Sequence, residues 1–207
     1  MARIDPERLL ADLHHLRTFG AEGSGVVRPS LSPIDMDSRR WLRDRMAEAG
    51  LEARIDGVGT VYGRSPKPGK TLVIGSHSDT QPRGGWLDGA LGVIYALEVA
   101  RALAEDPETR DLPVDIGSWI DEEGTYLGFL GSRTFCGDLD RASLEAASNK
   151  AGEPLTAAIR AAGMASEPCA TIEPDRHAAY LEADIVLGCQ VLAIAAGTIL
   201  RELAAGS

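Results

Sequence analysis

Residues 75–89 read Gly-Ser-His-Ser-Asp-Thr-Gln-Pro-Arg-Gly-Gly-Trp-Leu-Asp-Gly, and they follow a short apolar segment at 71–74. This stretch brings one histidine, His77, close in sequence to two aspartates, Asp79 and Asp88. Imidazole and carboxylate groups are the ligands that hydrolytic sites for divalent cations use. The stretch therefore predicts a metal site that begins where a strand ends.

Strands and helices alternate around this stretch. The pattern predicts strands at 71–74 and 114–120, with an apolar helix at 89–103 between them. A second acidic segment, Asp-Glu-Glu-Gly at 121–124, follows the later strand. Strand, helix, strand is the order of an α/β sheet, in which ligands bind at the carboxyl ends of strands. We therefore expect both polar segments to face one crevice.

The remaining elements are predicted from periodicity and from capping signals. Ser32 and Pro33 indicate a helix N-terminus, with serine as the cap and proline at the first helical position. The adjacent His14 and His15 cannot share one helix face, so they make a poor pair of ligands. Further helices are predicted at 6–17, 33–49, 144–149, 155–162 and 191–204, and further strands at 51–56, 60–64 and 178–187.

Composition narrows the class of protein. The chain has 207 residues, 44% of them hydrophobic and 25% charged, which is enough apolar material for a packed core. A net charge of −10 argues against a nucleic acid or an anionic membrane as partner. Three dispersed cysteines indicate a reducing compartment rather than a disulfide framework. Neither a signal peptide nor a membrane span is visible, so we expect a cytoplasmic protein.

Each candidate residue is suited to a different role in such a site. His77 offers a neutral imidazole, and the carboxylate of Asp79 could accept a hydrogen bond from that ring and fix its tautomer. Two glycines before Asp88 allow the backbone to turn tightly and return this carboxylate to the site. Of the pair Glu122 and Glu123, one could bind metal while the other takes a proton from water.

These residues resemble a known family. The segment 75–93 resembles the first metal motif of the M20-type metallo-amidohydrolases, and most of all their hydantoinase/carbamoylase branch. That branch contains N-carbamoyl-L-amino-acid hydrolases, β-ureidopropionases and allantoate amidohydrolases. Residues 121–124 and 131–137 resemble its second block, and residues 25–28 and 31–32 resemble its N-terminal segment.

The resemblance implies a fold, a reaction and roles for residues. The fold would be part of a zinc-peptidase-like catalytic domain, with a central mixed sheet flanked by helices. The reaction would be metal-dependent hydrolysis of a linear amide or ureido C–N bond in a small molecule, most simply an N-carbamoyl-L-amino acid. Two divalent ions, Zn, Mn, Co or Ni, are expected. By position His77 would bind one metal ion, Glu123 would bind the other, and Asp88 would bridge both. Glu122 would be the general base. Asp79 would support His77, and Gln81 would contact the substrate.

The chain departs from the family pattern near its end. A family block of the form Tyr-Leu-Glu-x-His-Ile-Glu-Gln-Gly corresponds here to residues 180–188, where Asp184 stands in the place of a metal-binding histidine. Carboxylate oxygen is still a possible ligand. We therefore expect residues 1–188 to form the N-terminal part of the catalytic domain and residues 189–207 a divergent apolar tail. The family's lid and dimerisation domain is not expected in this sequence, so no oligomeric state is predicted.

Two alternatives stay open at this stage. One is a shortened, catalytically impaired family member that acts as a non-enzymatic remnant or interaction protein. The other is a different enzyme class with Ser76 or Cys136 as nucleophile, although no matching nucleophile motif is present.

Overall fold

The computed structural model describes residues 2–182 and contains one five-stranded sheet and six helices in that range. The helices are α1 (Pro6–Thr18), α2 (Pro33–Glu48), α3 (Ala90–Glu105), α4 (Leu130–Cys136), α5 (Arg141–Ala146) and α6 (Leu155–Ala161). The strands are β1 (Ala21–Glu22), β2 (Gly25–Val26), β3 (Glu52–Ile55), β4 (Val61–Arg64), β5 (Thr71–His77), β6 (Val114–Trp119) and β7 (His177–Glu182). This is the α/β fold with a mixed central sheet that the sequence predicts.

The sheet has the order β3-β4-β6-β5-β7, while β1 and β2 form a separate hairpin. Strands β5, β6 and β7 run parallel, and β3 and β4 join them through antiparallel pairs. His77 at the end of β5 pairs in register with Trp119 at the end of β6. The carboxyl ends of these two central strands therefore meet at one edge of the sheet.

Both faces of the central strands are buried, so β5 contains the continuous apolar run at 72–74, whereas β6 also buries the polar Asp115 and Ser118. Side chains alternate between the faces along each strand. One face packs against α1, α2 and α3 through Val61, Leu72, Ile74, Val114 and Ile116. The opposite face packs around Tyr62, Val73, Trp119, Phe135 and Ala170.

Capping confirms the prediction for α2. Ser32 is the N-cap residue, its hydroxyl accepts a hydrogen bond from the backbone N–H of Asp35, and Pro33 is the first helical residue. The exposed His14 and His15 do not form a ligand pair; each instead packs against an aromatic ring, His14 on Trp86 and His15 on Trp41.

Some boundaries differ from the sequence prediction. The helix predicted at 144–149 lies at Arg141–Ala146, because Asp140 caps it by accepting from the backbone N–H of Ser143. Helix α4 was not predicted, since it is one short segment between left-handed residues at Phe129 and Gly137. The strand predicted at 178–187 begins at His177 and is described to Glu182; its remainder, the predicted helix at 191–204 and the apolar tail at 189–207 lie outside the described residues. None of the described helices is both long and apolar enough to cross a bilayer.

Candidate metal centre

Three chain segments meet at the carboxyl edge of the sheet. His77 is the last residue of β5, Asp88 ends the loop that leads into α3, and Glu123 lies in the loop after β6. One ligand atom from each of these side chains lies within 4.8 Å of the other two. Ligand atoms that share one ion at about 2.1 Å lie at most about 4.2 Å apart, so these three side chains, called the metal group below, are near the separation that one ion requires.

The hydrogen bonding of His77 suits a metal ligand. Its Nδ1 lies 3.0 Å from the backbone carbonyl oxygen of Asp79. A carbonyl oxygen only accepts, so Nδ1 carries the proton and the lone pair of Nε2 is available to a cation. Nε2 points toward Glu122, whose Oε2 lies 3.6 Å away.

The contact between Asp79 and His77 differs from the sequence prediction. The carboxylate Oδ1 of Asp79 is 3.8 Å from Nδ1, beyond hydrogen-bond range, and the backbone oxygen takes its place. The carboxylate is directed elsewhere: Oδ2 accepts the backbone N–H of Glu123 at 3.2 Å, and Oδ1 faces Arg39. Asp79 therefore links two of the candidate ligands, one through its backbone and the other through its side chain.

Gln81 contacts the metal group directly. Its Nε2 donates to Oε2 of Glu123 at 2.7 Å and to the carbonyl oxygen of the same residue at 3.2 Å. The amide predicted to contact substrate is thus engaged with a candidate ligand in this structure. Its effect is to hold one carboxylate oxygen of Glu123 and to leave the other for a cation.

Gly89 packs against the imidazole of His77. Its backbone has a φ of +61°, and a Cβ added there would overlap with Cδ2 and Nε2 of the ring. Glycine is required at this position for both reasons, since it tolerates a left-handed backbone and permits close approach. This close packing brings Asp88, the preceding residue, next to His77.

Glu122 is a partly buried acid beside three others. Burial is the largest effect on its pKa and raises it; His77 opposes this rise, and the negative charges of Glu123, Asp79 and Asp88 add to it. The net result is a raised pKa. A carboxylate with a raised pKa is a stronger base, and this suits an acid that accepts a proton from water.

A buried ion network supports the site from α2. Arg39 has no exposed side-chain surface, and its Nε donates to Oδ2 of Asp35 at 2.8 Å while Nη2 lies 3.6 Å from Oδ1 of Asp79. Burial raises the pKa of Asp35, and the neighbouring guanidinium of Arg39 partly opposes that rise. This network was not predicted from the sequence. Its signal was the presence of Asp35 and Arg39 at helical spacing with Leu42 and Met46, which places two charges on the buried stripe of α2.

A cavity of about 260 Å³ opens beside the metal group. Gln81 and Glu123 lie on one side of it, and Lys150 is the one cation among its lining residues. A larger cavity of about 560 Å³ lies beyond Pro29 and Thr125 and contains none of the candidate ligands. The smaller cavity is therefore the one with access to the chemistry.

One imidazole and two carboxylates form a donor set that fits Zn²⁺ or a similar divalent ion. The free Nε2 of His77, the backbone contact that orients its ring, and the hydrogen bonds that hold Glu123 all agree with that use. Asp184, which the resemblance adds to the ligand set, lies outside the described residues.

Comparison with known proteins finds related amidohydrolases. Residues 58–159 match the family described as Peptidase family M28. The chain is 31% identical over 192 residues to the N-carbamoyl-L-amino-acid amidohydrolase of Paenarthrobacter aurescens, covering 90% of this chain and 46% of that protein. It is 30% identical to the allantoate amidohydrolase of Escherichia coli, covering 84% of this chain and 44% of that protein.

The fold also matches solved structures. An amidase of the hydantoinase/carbamoylase family from Burkholderia phymatum superposes with a TM-score of 0.89 at 61% identity, over 94% of this chain and 48% of that one. A second amidase of that family, from Burkholderia ambifaria, gives a TM-score of 0.81 at 34% identity over 90% of this chain. The chain spans about half the length of the relatives that it matches.

Proposed function

Because the chain belongs to the hydantoinase/carbamoylase family of amidohydrolases, we propose that it carries the metal-binding part of a hydrolase of linear C–N bonds. The proposed substrate is an N-carbamoyl-L-amino acid or a related ureido acid, as the names of several relatives suggest. The observation that most strongly supports the proposal is that His77, Asp88 and Glu123 converge at the carboxyl edge of the sheet. Glu122 lies beside them.

Different residues of the chain would bind the metal and position its ligands. A bound divalent ion supplies Lewis-acid chemistry, because it polarises a carbonyl group and lowers the pKa of water. His77 through Nε2, Asp88 and Glu123 are close enough to hold such an ion. In the family pattern His77 would bind one ion, Glu123 would bind the other and Asp88 would bind both, with Asp184 as a further ligand. Gln81 keeps Glu123 in place through its amide N–H.

Glu122 is the proposed general base. Its Oε2 would accept a proton from the attacking water and return that proton to the leaving nitrogen. For an N-carbamoyl amino acid, water adds to the ureido carbon, the C–N bonds break, and the products are the amino acid, carbon dioxide and ammonia. The 260 Å³ cavity beside Glu123 offers room for the rest of the substrate.

Metal binding and turnover test the proposal together. The 207-residue chain is dialysed against Zn²⁺, Mn²⁺, Co²⁺ or Ni²⁺, bound metal is measured by mass spectrometry, and ammonia release is followed with N-carbamoyl-L-amino acids. We expect bound metal in the wild type and its loss in His77→Ala. His15→Ala, a change at an exposed histidine outside the metal group, is the matched control and should bind metal as the wild type does.

Glu122→Gln separates binding from chemistry. If Glu122 is the base, this variant keeps its metal and loses turnover by about 10²–10⁴-fold. Absence of both bound metal and ammonia in the wild type would contradict the proposal. Bound metal without ammonia release would favour the alternative of a catalytically impaired family member.

A further inference from the structure

Asp121 lies immediately before the two glutamates of the metal centre, yet it is outside the ligand group. Its side chain is fully buried, and its backbone has a φ of +57°, in the left-handed region that aspartate rarely adopts. A conformation of this kind costs free energy and persists only where surrounding contacts hold it. The contacts of its carboxylate show what holds it.

Three backbone N–H groups donate to this carboxylate. Oδ1 accepts from Thr125 at 2.6 Å, and Oδ2 accepts from Tyr126 at 2.9 Å and from Leu127 at 2.7 Å. Hydrogen bonds to an ionised carboxylate are among the stronger ones in proteins. They close residues 121–127 into one compact turn, and Glu122 and Glu123 lie inside it.

A second hydrogen bond ties the same turn to the loop that follows β5. The backbone N–H of Glu123 donates to Oδ2 of Asp79, whose own carbonyl oxygen orients His77. Two buried carboxylates, Asp121 from within the turn and Asp79 from the loop after β5, therefore hold the backbone of this turn near Glu123. Because both oxygens of Asp121 are occupied by N–H donors, Asp121 itself is poorly placed to bind a metal.

We propose that Asp121 is a positioning residue that sets the direction of Glu122 and Glu123 toward His77 by closing the turn at 121–127. This inference rests on the proposed function, since it concerns the same metal group. It predicts that loss of the acceptors of Asp121 weakens metal binding more than the accompanying loss of stability explains.

Asparagine is the informative substitution. It tolerates the left-handed backbone at least as well as aspartate does, so Asp121→Asn leaves the chain conformation accessible. Its amide nitrogen cannot accept, and so at least one of the three N–H groups loses its partner. The turn should loosen while the strand before it stays in place.

Asp56 provides a matched control. It is also buried, and its Oδ1 accepts the backbone N–H groups of Val58, Gly59 and Thr60 in the turn between β3 and β4. Its Oδ2 accepts from Ala170. Asp56→Asn removes the same kind of acceptor from a turn that carries no candidate ligand.

The test compares Co²⁺ affinity, followed by visible absorption, in the wild type, Asp121→Asn and Asp56→Asn, with melting temperatures measured in parallel. We expect about 10–100-fold weaker binding in Asp121→Asn, the range typical of residues that orient metal ligands. We expect Asp56→Asn to stay within about twofold of the wild type at a similar loss of melting temperature, because its turn carries no candidate ligand. The visible spectrum of Co²⁺ should also change only in Asp121→Asn.

The outcomes separate this inference from the proposed function. A wild type that binds no Co²⁺ overturns both. A wild type that binds Co²⁺ while the two variants bind equally well overturns the role of Asp121 alone. If Asp121→Asn does not fold, Asp121→Gly replaces it, because glycine adopts a positive φ without strain, and the same comparison applies.

Discussion

Nη2 of Arg39 lies 3.6 Å from Oδ1 of Asp79, and both atoms are buried without another hydrogen-bond partner among the described residues. Each of these two atoms therefore faces an opposite charge without a hydrogen bond to it. Through Asp79 this pair reaches both His77 and Glu123, so helix α2 supports the metal group although none of its residues belongs to it.

Removal of Arg39 should destabilise the fold strongly. Arg39→Met removes the ion-pair partner of buried Asp35 and a guanidinium close to Asp79, and breaking a buried pair in this way costs about 3–5 kcal/mol. The free energy of unfolding in urea measures the loss. The neighbouring Arg40→Met is the control, because Arg40 forms only an exposed pair with Asp37, worth about 1 kcal/mol or less. Equal losses in the two variants would refute a structural role for the buried pair.

A methyl group at Gly89 should displace His77. Gly89→Ala places a Cβ on the imidazole and requires alanine at a φ of +61°. Gly23→Ala is a close control, since Gly23 has a φ of +59° and nothing within 4 Å of the added Cβ. Both variants should lose about 1 kcal/mol to backbone strain, but only Gly89→Ala should bind metal weakly in equilibrium dialysis. Unchanged metal affinity in Gly89→Ala would show that the ring adjusts freely.

Gln81 has two candidate roles, which are to hold Glu123 and to contact the substrate. If its amide holds Glu123, as the 2.7 Å hydrogen bond indicates, Gln81→Ala should weaken metal binding by about tenfold or more. If it contacts substrate instead, metal affinity stays constant and only KM rises. Metal titration combined with steady-state kinetics distinguishes the two, and a variant that changes neither quantity would exclude both.

Acid should lower the free energy of unfolding through Asp115, which lies at the end of the sheet opposite the metal group. Burial by itself raises the pKa of this carboxyl, but hydrogen bonds from His177, Arg176, Tyr62 and the backbone of Ser65 outweigh burial and hold the pKa below its ordinary value. A carboxyl with a lowered pKa in the folded state stabilises the fold above its unfolded pKa, near 3.9, and this contribution disappears as the pH falls further.

The Asp115→Asn variant tests that expectation. It should be less stable near neutral pH, because Arg176 loses its buried partner, and its unfolding free energy should decline less than that of the wild type below about pH 4. Chemical unfolding at a series of pH values measures both curves. Parallel curves for the two proteins would contradict a depressed pKa at Asp115.

The α/β fold and its mixed sheet were predictable because their signals are local. A short apolar segment at 71–74 and the largely apolar segment at 114–120 mark strands that are buried on both faces, and polar residues after each strand mark its carboxyl end. The hairpin at 21–26 and helix α4 were not predicted. In α4 a glycine, Gly131, packs directly on the backbone of Ile120, and a contact between distant segments has no periodic signature.

The sequence by itself determined the family and the candidate ligands, since His77, Asp88 and Glu123 stand in a motif whose order and glycines can be read directly. Tertiary structure alone decided how they are held. In the folded protein the backbone carbonyl of Asp79, and not its carboxylate, accepts the hydrogen bond from His77. The amide of Gln81 donates to Glu123, and Arg39 is buried next to Asp79. The physical reason is that hydrogen-bond direction depends on how separate strands and helices pack, whereas ligand identity is a property of each residue alone.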